Sequence, residues 1–354
     1  MALARPLLAW FARARRDLPW REEPRDPYRV WVSEVMLQQT RVDVVIPYYR
    51  RFLQRFPTLE TLARAPLDEV LAQWSGLGYY ARGRHLHAAA QAAQARGGLP
   101  RTAAQLRELP GFGPYTAAAV ASLACGEQVP LVDGNVARVL ARILRLPGDA
   151  REARERAWKA APSLLPPGRA GAFNEALMEL GATVCTPRAP LCGGCPVRRA
   201  CAGWGEAEAF PAPRARRERA HLTWAAAALR RNDGAVLLRR RGAGELFGGM
   251  WDLPSADLPP AARSARAVAR AALVSCGAVA ASLRACGEVT QTLTHRELRV
   301  VLYAGEGRAR TREGLRWVRA TELGSLGLSS LARKCLRACG IAAVSAGPEA
   351  PTGR

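Results

Sequence analysis

Apolar residues recur with the spacing of an α-helix through most of the chain before residue 180. The helices predicted there are one over 7–11 that ends near 18–21, one that begins at Asp26-Pro27, and others over 48–56, 67–74 and most of 88–180. Beyond residue 220 the pattern becomes that of short strands, predicted at 222–229, 236–239, 298–303 and 315–318, with one helix over 261–274. The chain is therefore predicted to hold an all-α domain followed by an α+β domain.

This change of pattern divides the 354 residues into segments with different expected roles. Residues 1–210 are the predicted all-α domain, and residues 222–340 are the predicted α+β domain. Residues 211–221 are rich in Pro and Arg and are predicted to form a solvated, semi-rigid linker. Residues 341–354 are predicted to be a flexible tail. A chain of this length can bury two separate cores.

Basic residues dominate the charge of the chain. The formal net charge is +22 and the isoelectric point about 10.9, so an extended anionic partner is expected. Nearly all of the positive charge is arginine, since Lys159 and Lys334 are the only lysines. A general bias toward Arg and Ala is the alternative explanation. No apolar run reaches the ~18 residues of a membrane span, and the N-terminus lacks a clear cleavage site, so we expect a cytoplasmic protein.

The most informative stretch begins with a Gly-Phe-Gly turn. Gly111, Phe112 and Gly113 predict a tight hairpin, and Pro114 is placed to begin a helix whose free N–H groups can bind phosphate. Further on, a loop between Pro130 and Gly134 presents the carboxylate of Asp133. An ordinary helical hairpin with a capping Asp would give the same pattern.

A second carboxylate is placed unusually. Glu34 has the apolar residues Val30, Trp31 and Leu37 as its helical neighbours. Burial on that face would raise its pKa and make it a candidate general acid. The alternative is a glutamate at the edge of the apolar stripe that reaches solvent.

These segments resemble a known family. The hairpin and its following Asp are similar to the helix-hairpin-helix DNA glycosylase superfamily, and Ser33-Glu-Val-Met-Leu-Gln-Gln-Thr40 closely resembles the segment that carries the catalytic Glu of adenine DNA glycosylases (the MutY family). The resemblance implies a six-helix part at about 25–130 and a cluster-bearing part at 1–24 and 131–210.

The resemblance also implies roles for individual residues. Glu34 would protonate N7 of an adenine extruded from the duplex, and Asp133 would stabilise the oxocarbenium-like sugar. Tyr115 and Asn135 would position these groups. The residues expected around the flipped base are Trp20, Arg21 and Glu175, and those expected to wedge into the duplex are Gln39 and Tyr79.

Four cysteines predict a metal centre, at Cys185, Cys192, Cys195 and Cys201. Structural zinc sites usually have two separated Cys-x2-Cys pairs, whereas this run has one such pair with longer arms, which favours a [4Fe–4S] cluster over zinc. The spacing matches that of the adenine glycosylase and endonuclease III families.

The second domain resembles a Nudix-like domain through Leu246-Phe-Gly-Gly-Met-Trp-Asp-Leu-Pro254. Nudix hydrolases hold Mg²⁺ with glutamates, but residues 258–287 contain no Asp or Glu. We therefore expect a domain that recognises a ligand without hydrolysing it. The resemblance assigns recognition of 8-oxoguanine to Thr294 and His295. Leu293 stands where the family has an aromatic residue, so weaker discrimination of the oxidised base is an alternative.

The resulting expectation is a monomeric enzyme of the bacterial cytosol or nucleoid that hydrolyses adenine from double-stranded DNA at 8-oxoguanine or guanine mispairs. Lyases of this superfamily form a Schiff base through a Lys at the position of Tyr115, so we expect no lyase activity. The alternatives are an endonuclease III-type lyase, a non-catalytic damage-binding protein and a Nudix hydrolase.

Overall fold

The computed structural model describes residues 3–213 and 219–341, which form two compact units. Unit 1 comprises residues 3–63 and 88–213, and unit 2 comprises residues 64–87 and 219–341. The predicted tail from 342 onward and linker residues 214–218 lie outside the described residues.

Eleven helices precede the linker in the described part of the chain, in agreement with the predicted all-α class. They are α1 (Ala4–Ala14), α2 (Pro27–Leu37), α3 (Val42–Arg55), α4 (Leu59–Arg64), α5 (Leu67–Trp74), α6 (Ala81–Ala95), α7 (Ala103–Leu106), α8 (Pro114–Ala124), α9 (Gly134–Ile143), α10 (Ala150–Leu164) and α11 (Ala170–Thr183). The first helix ends earlier than predicted, because Arg15 is extended and residues Pro19–Arg21 form a separate 3₁₀ turn.

Local sequence signals set the helix starts that matter for the site. Asp26 caps α2 by accepting a hydrogen bond from Tyr28 N–H at 2.8 Å, and Pro27 follows as the first helical residue, as predicted. Pro114 likewise begins α8, whose small residues are almost all buried. Helix α11 approaches α8 so closely that a Cβ on Gly171 would lie 2.4 Å from the carbonyl oxygen of Ser122. Small side chains therefore let these helices pack tightly beneath the hairpin.

Residues 64–87 belong to unit 2, whereas the predicted boundary at 210 placed them with the first domain. Within unit 2, the indole N–H of Trp251 donates to Asp68 at 3.2 Å, and Ser330 N–H donates to the hydroxyl of Tyr80 at 3.0 Å. The ring of Tyr80 also packs edge-on against Phe247. Helical periodicity shows which face of a segment is buried, but not which core covers it.

The rest of unit 2 is an eight-stranded mixed sheet with two helices, which confirms the predicted α+β class. The elements are β1 (Ala220–Arg230), β2 (Val236–Arg240), β3 (Trp251–Asp252), β4 (Ser255–Asp257), α12 (Ala265–Ser275), β5 (Ala278–Ala280), β6 (Arg284–Thr292), β7 (Arg296–Ala309), β8 (Leu315–Val318) and α13 (Ser330–Ala338). The central path is β3-β2-β1-β7-β5, with β1 parallel to β7 and the other pairs antiparallel.

Strand β1 is buried on both faces of this sheet. Its residues alternate, so that Trp224 and its even-numbered neighbours join the core that contains α13, while Ala225 and its odd-numbered neighbours join the core that contains α12. Helices α13 and α12 cover the two faces of β1, and small side chains are enough to pack against them. This explains the run of alanines in the strand. None of the helices in the described ranges is long and apolar enough to span a membrane.

Candidate active site

A large cleft of about 1540 Å³ opens in unit 1 between the hairpin and the N-terminal segment. Ten of the predicted site residues line it: Trp20, Arg21, Glu34, Gln39, Gly111, Gly113, Tyr115, Asp133, Asn135 and Glu175. These residues come from five separate stretches of the sequence. The fold of unit 1 thus brings together the candidate acid, the candidate sugar-stabilising carboxylate and the candidate base-binding residues.

Glu34 is buried in the wall of this cleft, with only 3% of its surface exposed. The hydroxyl of Tyr115, on α8, donates a hydrogen bond to Glu34 Oε2. Burial raises the pKa of Glu34 to about 7, an effect opposed by the Tyr115 hydrogen bond and increased by the negative charge of Asp133. The structure confirms the burial predicted from the apolar helix face, and the direction of the pKa shift agrees with that burial. Such a carboxyl group carries a proton in a substantial fraction of molecules near neutral pH, as a general acid must.

Asp133 faces the same cleft in a different environment. It is the N-cap of α9, where its Oδ1 accepts a hydrogen bond from Val136 N–H at 2.6 Å. Burial raises the pKa of Asp133, and the Val136 N–H group and the charge of Arg138 oppose that rise. The capping hydrogen bond holds the carboxylate in place and favours its ionised form.

Asn135 follows in the first turn of α9. Its Oδ1 accepts a hydrogen bond from Arg138 at 3.0 Å. Helix α11 passes so close that a Cβ on Gly181 would lie 2.8 Å from the Asn135 Cβ. The absence of a side chain at Gly181 therefore lets α9 and α11 pack closely at the point where α9 begins, next to Asp133 and Asn135.

The hairpin has the predicted turn, with Gly111 at φ 76° and Gly113 as the N-cap of α8. Phe112 has a structural role, because its side chain is 7% exposed and stacks on Trp31 with ring centroids 5.0 Å apart. A DNA contact at this hairpin would thus involve backbone groups and the glycine surface.

The two predicted wedge residues share an unusual backbone conformation. Gln39 has φ 57° and Tyr79 has φ 49°, and they are two of five non-glycine residues with positive φ in the described ranges. This region costs a side-chain-bearing residue about 1–3 kcal/mol and is concentrated at functional positions. Each lies in its own unit, and the strain supports a functional role for each position separately.

In unit 2, the side chain of Tyr79 contacts one of the two residues predicted to read the oxidised base. Its hydroxyl shares a hydrogen bond with Thr294 Oγ1, in the turn between β6 and β7. Thr294 and His295 are both exposed, and 42% of the Tyr79 surface is exposed. Unit 2 thus presents a phenol and a hydroxyl side by side, next to an imidazole.

The four cysteines of the predicted metal centre lie together beyond the end of α11. All four line one small cavity, together with Arg142 of α9. The guanidinium of Arg142 lies 3.3 Å from the sulfur of Cys185, and the thiol of Cys201 lies 3.5 Å from the carbonyl oxygen of Arg142. Within the ranges 3–213 and 219–341, no group of three or more His, Cys, Asp or Glu side chains is arranged to hold a single metal ion.

Comparisons with known proteins agree with this geometry. Residues 32–163 match the HhH-GPD superfamily of base excision DNA repair proteins, and residues 225–338 match the NUDIX domain. The adenine DNA glycosylase of Rattus norvegicus is 36% identical over an alignment that covers 95% of this chain and 77% of the rat protein. The chain belongs to the adenine DNA glycosylase family.

Two further relatives are similar over shorter stretches. The adenine DNA glycosylase of Homo sapiens is 50% identical over 55% of this chain and 38% of the human protein. A solved thermostable thymine-DNA glycosylase is 30% identical, with a TM-score of 0.52, and covers 57% of this chain and 94% of its own. As a member of the family, the protein is a DNA-binding glycosylase of base excision repair.

The adenine glycosylase cleft also contains charged residues that the sequence analysis missed. Glu179 is 1% exposed and accepts hydrogen bonds from Arg16 at 2.6 and 3.0 Å and from Arg21 at 2.9 Å. These arginines hold the pKa of Glu179 below its usual value, against the effect of burial. The signal was present in the sequence, since Glu175 and Glu179 are four residues apart on one face of α11. Two glutamates buried on one face require a basic partner.

Proposed function

We propose that the enzyme hydrolyses the N-glycosidic bond of adenine mispaired with 8-oxoguanine or guanine, and that it does so without a lyase step. One observation supports the chemistry above the others: buried Glu34 and half-buried Asp133 face one cleft, Glu34 bonded to the Tyr115 hydroxyl and Asp133 bonded to a backbone N–H at the start of α9. Such a pair separates the roles of acid and charge stabiliser.

Glu34 is the acid in this proposal. With a pKa of about 7, it carries a proton that can pass to N7 of an extruded adenine. Protonation makes the base a better leaving group. After the transfer, the Tyr115 hydroxyl stabilises the new carboxylate through the hydrogen bond that it already donates.

Asp133 is the charge stabiliser. As the bond to the base breaks, the sugar becomes oxocarbenium-like, and the ionised carboxylate of Asp133 stabilises its positive charge. The Val136 N–H group keeps that carboxylate fixed. A water molecule then completes the hydrolysis.

The proposal that there is no lyase step rests on where the two lysines of the chain lie. No lysine lines the cleft in the described part of the chain, and Tyr115 stands at the position that the resemblance assigns to the Schiff-base lysine of lyases. Lys159 lies on α10 and Lys334 on α13. A phenol cannot form the iminium that drives strand scission.

The choice of mispair rests on the Nudix-like domain. Thr294 offers a hydroxyl that can donate or accept, and its hydrogen bond to Tyr79 fixes where that hydroxyl lies. The family resemblance assigns this turn to the base opposite the adenine. In this proposal adenine is removed opposite either 8-oxoguanine or guanine, and weaker discrimination of the oxidised base, through Leu293 in place of the family's aromatic residue, is the alternative.

We also propose that Cys185, Cys192, Cys195 and Cys201 hold one [4Fe–4S] cluster. The donor set fits, because all four cysteines line one small cavity. One zinc ion would draw four sulfurs to ~2.3 Å from itself, whereas a cluster takes one thiolate at each of four iron atoms. When bound, the cluster would supply a cross-link for the segment after α11.

Single-turnover excision tests the proposal. Duplexes with adenine opposite 8-oxoguanine, guanine, cytosine or thymine are treated with the wild-type enzyme, with Glu34→Gln and with the exposed control Glu155→Gln. We expect excision at the first two mispairs only, and a loss of at least about 10²-fold in Glu34→Gln with duplex binding retained. Wild-type rates in Glu34→Gln would remove Glu34 from the mechanism. Equal excision at all four pairs would remove the mispair preference.

A further inference from the structure

Glu175 lies in the cleft with both oxygens already engaged. Its Oε1 accepts a hydrogen bond from Arg21 Nε at 2.7 Å and a longer one from Arg25 Nη1 at 3.4 Å. Its Oε2 accepts from Arg25 Nη2 at 3.0 Å. All three side chains are largely buried, at 10%, 8% and 12% exposure for Glu175, Arg21 and Arg25.

The two arginines are not equivalent. Arg21 also donates to Glu179 Oε2 at 2.9 Å and to the carbonyl oxygen of Arg16 at 2.9 Å, so it joins several parts of unit 1. Arg25 has Glu175 as its buried carboxylate partner, makes one long hydrogen bond to the carbonyl oxygen of Trp20 at 3.5 Å, and its other carboxylate contact, Glu23, is 63% exposed. Removing Arg25 therefore changes the surroundings of Glu175 with the least effect on the rest of the charge network.

The remaining hydrogen-bonding capacity of Glu175 defines what it can bind. An ionised carboxylate only accepts hydrogen bonds, with about four acceptor positions on its two oxygens. The arginines occupy three of these positions, which leaves about one for a ligand in the cleft. The ligand group there must be a donor. The 6-amino group of adenine is a donor, whereas a carbonyl oxygen at the same place would face the carboxylate lone pairs.

We propose that Arg25 is a positioning residue for base selection. Its planar guanidinium group donates to both oxygens of Glu175 and holds that carboxylate so that its one remaining acceptor position meets the 6-amino group of the extruded base. This inference rests on the proposed function, because it requires adenine to enter the cleft. Arg25 lines the cleft beside Glu175, and in this proposal it acts through Glu175 rather than on the base directly. Its effect passes through the orientation and charge of Glu175.

The experiment compares two bases that differ only in the 6-amino group. Single-turnover excision from guanine mispairs is measured for adenine and for unsubstituted purine, with the wild type, Arg25→Gln and Arg25→Lys. Arg29→Gln is the matched control, because it removes the same charge from an arginine that pairs with Glu22 at 3.1 Å and is 46% exposed. Thermal unfolding of each variant checks the fold.

The expected result is selective. Arg25→Gln should slow adenine excision about tenfold, the order of one hydrogen bond to a charged group, and change purine excision less than about twofold. Arg25→Lys keeps the positive charge but loses the planar guanidinium that bonds both carboxylate oxygens. Its rate of adenine excision should therefore lie between those of the wild type and Arg25→Gln. Arg29→Gln should leave both rates near those of the wild type.

Two results overturn the inference. Equal losses on adenine and purine would show that Arg25 only supports the fold, and an unchanged adenine rate would show that Glu175 needs no such support. If Arg25→Gln fails to fold, the same comparison in Arg25→Lys decides between these outcomes. A wild-type enzyme that binds the duplex but releases neither base would instead refute the proposed function, and the inference with it.

Discussion

Replacement of Glu34 by Gln should stabilise the folded protein in alkaline solution, although it removes the proposed general acid. Burial raises the pKa of Glu34 from 4.5 to about 7, so the folded protein holds this proton more tightly than the unfolded chain does. Wild-type stability therefore falls as the pH rises from the unfolded pKa through the folded one, and the penalty is complete above it. At 1.36 kcal/mol per pKa unit, the full penalty is about 3 kcal/mol.

Gln has nearly the shape of Glu, its amide oxygen can still accept the hydrogen bond from Tyr115, and it stays neutral at every pH. The free energy of unfolding of Glu34→Gln should thus exceed that of the wild type by up to about 3 kcal/mol near pH 8, and the two should converge near pH 4 to 5. Urea unfolding of wild type, Glu34→Gln and the exposed control Glu155→Gln at several pH values measures this difference. A difference that does not change with pH, or a variant less stable than wild type near pH 8, would refute the reasoning.

The other predictions concern the reaction and the cluster. The wild-type excision rate should fall as the pH rises through about 7, since an ionised Glu34 has no proton to give, and a rate that keeps rising there would contradict this role. Purified protein should contain about four iron and four acid-labile sulfide atoms per chain, and Cys192→Ser should lose both, whereas one stoichiometric zinc would exclude the cluster. Borohydride should trap no covalent complex with the wild type but should trap one with Tyr115→Lys, and efficient wild-type trapping would show a lyase.

The parts of the site that depend on local sequence were predictable. The cap at Asp26, the Pro114 helix start and the buried position of Glu34 each follow from a signal within a few residues, and the structure confirms all three. Local signals of this kind determine where a helix begins and which face it buries.

What could not be predicted depends on contacts between distant segments. The hydrogen bonds from Arg16 and Arg25 to α11 span more than a hundred residues, and the helical spacing of the two glutamates does not indicate which arginines pair with them. The left-handed backbone at Gln39 and Tyr79 was also unexpected, since neither residue is one that favours that region. The assignment of the whole segment 64–87 to unit 2 has the same origin.

The place of residues 64–87 in unit 2 limits where the gene can be divided. A polypeptide that stops at residue 210 keeps 64–87 but loses every contact that this segment makes with the sheet and with α13. Tyr80, now 5% exposed, would lose its hydrogen bond from Ser330 and its packing against Phe247, and Asp68 would lose its indole partner. In the truncated protein we therefore expect proteolytic cleavage within residues 64–87 rather than at the new C-terminus. A cut at residue 210 would therefore remove contacts on which residues 64–87 depend, although the cut lies far along the chain from that segment.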